Sequence, residues 1–261
     1  MRRAVMIGLL LPLTPVVIWA FTPAWPWPDL WPRQMDLRAW AYLLSPGAGV
    51  TRAVLTSVGL ALAVTLTCAV IGLPAGIGLG RCRFTGRGAV EVLVFLPLLV
   101  PPMAWSAGVH HIFGKLGLTG SLTAVWLGHL VPALPYMIRT IAAAATTASV
   151  RAEEVGRTLG ATPWQVFRHL TLPRLGPALL AGSMLVFLVS LSQYLLTLLL
   201  GGGAVLTLPM VLLPFLAGTD RALAAALSLV FCGTGMLVLW LMESLIRRNA
   251  NPRNGEVWPG L

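Results

Sequence analysis

Charge is the scarcest commodity in this sequence. Only 10% of its 261 residues are Asp, Glu, Lys or Arg, against about 25% in a typical globular domain. So little polar surface cannot clothe a folded chain of this size in water, which excludes a soluble domain. Acidic residues are scarcer still, eight against eighteen basic ones, and Lys115 is the single lysine. That lysine follows Gly114 but precedes Leu116, and position 109 is Val109. The sequence therefore lacks the G-x-x-x-x-G-K-[ST] loop that cradles nucleotide phosphates, and the chain is not itself an ATPase. It also lacks HExxH, a nucleophile elbow and paired catalytic carboxylates, so it reads as non-catalytic. Cysteine is limited to Cys68, Cys82 and Cys232. No CxxC or metal-ligand spacing joins them, which leaves neither a disulfide framework nor a metal site to expect. There is no internal repeat or low-complexity linker, and residues 1–261 read as one domain.

What fills the chain instead is apolar, 57% of all residues. About 20 apolar residues in a helix cross the hydrocarbon core of a bilayer. Six runs of that kind are present, at about 4–21, 54–80, 89–113, 121–143, 176–200 and 222–246. They are long and continuous rather than ten-residue alternations, which favours helices over a β-barrel. The fold class expected is all-α, a polytopic membrane protein with six transmembrane helices. Pro74, Pro97, Pro101 and Pro102 are expected to kink the second and third spans. The N-terminus, Met1-Arg2-Arg3 and an apolar run with Ala20 and Ala24 beyond it, also has the outline of a secretory signal. The reading taken is an uncleaved first span.

The net charge of +10 acquires its meaning from position. Arg2, Arg3, Arg81, Arg83, Arg87, Arg139, Arg151, Arg157, Arg168, Arg174, Arg247, Arg248 and Arg253 fall on one set of connections. Arg33, Arg38, Arg52, Lys115 and Arg221 fall on the other. The richer side is expected to be cytoplasmic, with both termini inside. No contiguous basic face exists, so nucleic acid is not an expected partner; membrane lipid is. On the outer side, Trp25, Trp27, Trp31 and Trp40 lie among prolines in residues 22–50 and read as an interfacial belt. Gly201-Gly202-Gly203 and Leu208-Pro209-Met210 suggest a turn and a short outer helix before the last span.

The longest inner connection, about 144–175, carries the most local signal. Residues 151–159 make a helical stretch containing Glu153 and Glu154, which Gly160 ends as a residue suited to a left-handed cap. After Ala161, Thr162-Pro163-Trp164-Gln165 restarts a helix, with a capping threonine, proline in the first turn and glutamine three residues on. Pro173 is expected to cut that second helix short. Trp164, Phe167 and Leu170 recur at spacings of three, an apolar stripe that needs a partner.

At these residues the sequence resembles the permease subunits of binding-protein-dependent ABC importers, whose mark is E-A-A-x3-G-x9-I-x-L-P. Glu154 and Gly160 match, and Leu170-Thr171-Leu172-Pro173 matches the end of the pattern. Val155 and Gly156 stand where the two alanines do, and Leu170 replaces isoleucine. Phe95-Leu96-Pro97-Leu98-Leu99-Val100-Pro101-Pro102, Leu134-Pro135-Tyr136, and Gly201-Gly202-Gly203 followed by Thr207-Leu208-Pro209 extend the resemblance over most of the chain. The likeness is to permeases of the polyamine, iron, thiamine and sulfate type. It implies a type I architecture in a bacterial cytoplasmic (inner) membrane. It also implies a second permease, identical or related, two ABC ATPase subunits, and a periplasmic or extracellular solute-binding protein. No cofactor is expected in this chain; ATP and Mg would be bound by the partner subunits. Glu153, Glu154, Gly160, Ala161, Pro163, Trp164, Phe167, Arg168, Leu172 and Pro173 would form the loop that couples to the ATPase.

Polar groups inside the membrane are the remaining candidates, because burying them in lipid is costly. His129 lies in the fourth run, and Ser190, Gln193 and Tyr194 cluster in the fifth. They either line a solute path or bond helices to one another. Gln193 stands where permeases of polycations are expected to carry an acid, which argues against a polycation. Two other function classes stay open from sequence: a membrane scaffold that docks a cytosolic partner, and an ATP-independent carrier.

Overall fold

The computed structural model describes residues 11–25, 29, 31–147 and 150–249, which are helical with no strand among them. Two short helices, α1 (Thr14–Trp19) and α2 (Arg38–Leu44), precede the long α3 (Val50–Arg81). Then come α4 (Arg87–Leu99), α5 (Pro102–Lys115) and α6 (Leu122–Thr147). The connection that follows holds α7 (Arg151–Thr158) and α8 (Pro163–Val166). The chain ends with α9 (Leu172–Leu191), α10 (Leu195–Gly201), α11 (Leu208–Ala217) and α12 (Arg221–Asn249).

Among the described residues, three helical stretches are long and apolar enough to cross a membrane, namely α3, Pro163–Leu191 and Arg221–Ser244. The bent pair α4 and α5 makes a fourth if it counts as one span. The first ten residues of the chain lie outside the described set, and with them residues 4–10 of the first expected span. So does Trp27 of the expected interfacial belt.

Two of the expected spans are not continuous. The run 89–113 breaks between α4 and α5, which meet at 104°. Val100 and Pro101 each precede a proline, and both adopt extended backbone there, as the steric clash with a following proline ring demands. The run 176–200 breaks at Ser192-Gln193-Tyr194, between α9 and α10. Pro74, by contrast, sits inside an uninterrupted α3.

The core is formed where α3, α6 and α9 pack together, burying Val64, Cys68, Met137, Ile141 and Val186. Glycines on α3 make that approach possible. A Cβ at Gly76 would stand 2.6 Å from Cβ of Ile141, and one at Gly80 would stand 2.6 Å from the Ala142 carbonyl oxygen. Helices in lipid gain little by hiding apolar surface from one another and rely on such close packing. A second cluster seats α1 and α2 against α12 through Ala20, Ala39, Leu43, Ala226 and Leu227. The predicted short helix before the last span is present as α11. Its Leu208 N–H donates to the buried Ser57 Oγ of α3 at 2.7 Å. Only 33% of the most apolar window of α3, and the same share for the last span, is covered by the chain itself. The rest is surface for lipid or for other subunits.

Candidate functional site

The loop around Gly160 is built from two interlocked caps. At the end of α7, Ala161 N–H bonds the Gly156 carbonyl and Gly160 N–H bonds the Arg157 carbonyl, both at 3.0 Å. That pair of bonds is a Schellman motif, and it needs a left-handed residue at its turn. Gly160 supplies one, at φ +86°, and a Cβ there would meet nothing within 4 Å of the chain. Two residues later Thr162 and Gln165 form the predicted capping box: Gln165 N–H donates to Thr162 Oγ1, and Thr162 N–H donates to Gln165 Oε1 at 2.8 Å. The backbone polar groups of the turn are thus paired, and α7 and α8 are set at a fixed angle.

Pro173 does not stop the second helix. Residues Phe167–Thr171 form a π turn, closed by Leu172 N–H to the Phe167 carbonyl, and α8 runs through it into α9 as one helical stretch. An α-turn would drive the proline ring against the carbonyl four residues back. The wider π turn removes that clash, and Pro173 lies on the exposed side of the helix.

The loop presents apolar groups outward. Leu159 is 82% exposed and Trp164 64% exposed, and Val155 is also open. Trp164 stacks on Phe167 at 5.7 Å between ring centroids, while Leu170 turns inward toward Gly156. The expected stripe is therefore split: Trp164 faces out, Leu170 packs within. Glu154, Gly160, Pro163 and Arg168 are exposed, and Ala161, Phe167 and Leu172 are half-buried. Leu159 was not singled out by sequence, since its spacing joins it to no stripe; its place just before the glycine turn is the signal that marks it.

The two glutamates of the loop differ completely. Glu154 is exposed, whereas Glu153 is buried with its carboxylate held on three sides. Nη1 of Arg81, at the last turn of α3, donates to both carboxylate oxygens at 3.0 Å. Thr171 Oγ1, in the π turn, donates to Oε1 at 2.9 Å. Arg81 Nε also reaches the Ala145 carbonyl of α6 at 3.4 Å. The sequence offers Glu153 as a loop residue but gives no hint of Arg81, which lies 72 positions earlier.

The intramembrane candidates gather at the break between α9 and α10. Ser190 Oγ donates to His129 Nδ1 at 2.9 Å, and His129 Nε2 faces Thr197 Oγ1 at 3.0 Å. Thr197 Oγ1 commits its own proton to the Gln193 carbonyl at 2.9 Å, so the ring must donate from Nε2. His129, Ser190 and Thr197 are buried, and Gln193 and Tyr194 are half-buried at the break itself. The structure thus brings all four candidates together and adds Thr197.

Residues 72–251, more than half of the chain, match the model of the family described as the binding-protein-dependent transport system inner membrane component. The chain belongs to this family. Among its relatives is the molybdenum transport system permease protein ModB of Mycobacterium tuberculosis. That protein is 33% identical over 239 residues, covering 85% of this permease and 86% of the relative. The sulfate transport system permease protein CysT of Escherichia coli is 29% identical, covering 69% and 70% of the two chains. Among solved structures, a bacterial ABC transporter involved in the import of the polysaccharide alginate superposes with a TM-score of 0.67. It does so over 95% of both chains at 14% identity, a likeness of fold. This permease is therefore a type I ABC importer permease, a membrane component of a transport system.

Proposed function

We propose that this chain forms the solute path of an ABC importer and couples it to separate ATPase subunits through the loop around Gly160. On this reading it is one permease domain, 1–261, with six spans and both termini in the cytoplasm, in a bacterial inner membrane. It pairs with a second permease, two ATPases that hold ATP and Mg, and a solute-binding protein outside. The observation that carries the coupling role is the exposed apolar knuckle of Leu159 and Trp164, flanking a glycine whose missing side chain leaves open space. Exposed apolar groups on a rigid turn outside the membrane are what a docking groove recognises.

The solute we propose is a small oxyanion, of the molybdate and sulfate class. The molybdenum and sulfate relatives, at 33% and 29% identity, support it, while the putrescine transport system permease protein PotI of Escherichia coli matches 73% of the chain at 27% identity. The chemistry also supports it: α3, α5, α6, α9 and α10 contain no Asp or Glu. A fixed carboxylate would repel an anion, while Gln193, Tyr194 and backbone N–H groups at the break can donate to one. His129, Ser190 and Thr197 hold that break open from behind, with Gln193 and Tyr194 toward the path.

The test is purification of the chain with its ATPase and second permease, reconstitution with the binding protein, and measurement of ATP hydrolysis and uptake. Molybdate, sulfate and putrescine are supplied in turn. Stimulation by an oxyanion is expected; stimulation by putrescine alone would overturn the solute class. Absence of any co-purifying ATPase would overturn the permease's coupling role.

A further inference from the structure

The Arg81–Glu153–Thr171 cluster has no part in docking a partner, because Glu153 is turned away from the exposed knuckle and only 5% of its side chain is accessible. Arg81 is 17% accessible, and its Nη2 is buried without a hydrogen-bond partner. Burying an ion pair is expensive, and an apolar trio of the same volume would often serve stability better. The placement of this one is informative. Arg81 belongs to the inner end of α3, Glu153 to the first turn of the docking helix α7, and Thr171 to the π turn that leads into α9. The Ala145 carbonyl brings in the end of α6. Four elements meet at one carboxylate and one guanidinium.

Eight residues make too short a helix to hold itself in place. α7 is fixed at its far end by the Schellman turn and capping box that join it to α8. At its near end, Glu153 is its charged tie to the bundle. We infer that this cluster is a permanently closed joint that makes the docking loop move as one piece with α3 and α9. A push on Leu159 and Trp164 then reaches α9 through the continuous helix and α3 through the ion pair. From there α3 runs uninterrupted to Ser57 and its bond to α11 on the outer side, and α9 runs to the break that holds Gln193. Arg81, Glu153 and Thr171 are positioning residues for coupling. The inference rests on the coupling role proposed above.

The experiment uses the whole reconstituted assembly with molybdate as probe, reading uptake per ATP hydrolysed. Glu153→Gln keeps the shape and the acceptor for Thr171 but removes the charge. Its uptake per ATP is expected to fall about ten-fold, within the usual range of coupling between sites, while the ATPase stays bound and hydrolyses ATP. Thr171→Val leaves the ion pair and removes one hydrogen bond; about a three-fold loss is expected, and this variant carries the test if Glu153→Gln does not assemble. An unchanged ratio in an assembled variant overturns the joint, even if less protein folds. Failure of the unaltered chain to retain an ATPase would instead bring down the coupling role itself, and the joint with it.

Discussion

His129 is a polar ring placed among apolar helices, and what it does there follows from the direction of three protons. Ser190 donates to it, it donates to Thr197, and Thr197 donates to the Gln193 carbonyl. That last carbonyl is one that the interrupted helix leaves without its usual partner. Thr197→Val removes the middle of this relay, leaving a ring N–H and a carbonyl unpaired. The expected loss is about 1–3 kcal/mol, read as a lower melting temperature of the purified protein. Gly160 makes a contrasting case. Its φ of +86° is strained for any other residue, so Gly160→Ala should lose about 1–2 kcal/mol locally. Yet nothing of the chain lies within 4 Å of its missing Cβ. Gly160→Trp should therefore insert into the membrane like the alanine variant and still lose ATPase binding, seen on co-purification. Equal binding by the two variants would argue against docking at this turn.

At the scale of elements, the caps of α7 and α8 are legible in the sequence because every partner lies within five residues. Gly160, Thr162 and Gln165 each signal a local bond, and each is made. The two breaks are harder. Pro101-Pro102 announces a kink, but only the paired extended residues Val100 and Pro101 turn it through 104°. The break at 192–194 has no proline or glycine to announce it, and apolar residues run on both sides. It is held by His129, 61 positions from Ser190, and a partner at that distance leaves no mark on a local pattern. The buried partnership of Glu153 was hidden for the same reason, since Arg81 belongs to another helix 72 positions away. The exposed pair on the loop gives the element its own prediction. Leu159→Ser with Trp164→Ser should leave helix content unchanged by circular dichroism. ATPase affinity should fall by about 2 kcal/mol or more, as for a removed apolar anchor.

For the whole molecule, the apolar composition foretells a membrane protein of helices, but not how the helices sort. Sorting depends on backbone approach, and here the spacing of Gly72, Gly76 and Gly80 on α3 sets it against α6. Gly76→Val is expected to force the two helices apart against Ile141, costing about 1–3 kcal/mol or more. The check is the yield of monodisperse protein from membranes, with Gly78→Val as control, since a Cβ at Gly78 meets nothing within 4 Å.

The π turn at Phe167–Thr171 sets an angle as well as a path. It accommodates one residue more than an α turn, and each residue in a helix advances the face by about 100°. The azimuth of Trp164 about the axis of α9 is thus a matter of counting: add or drop one residue between them and the knuckle points into a different quadrant. An ATPase whose groove is cut for this phase would meet a polar flank on a permease out of step by one. On the proposed coupling role, compatibility between permease and ATPase is in this respect an integer property of the connecting turn, separate from the identity of the side chains that touch.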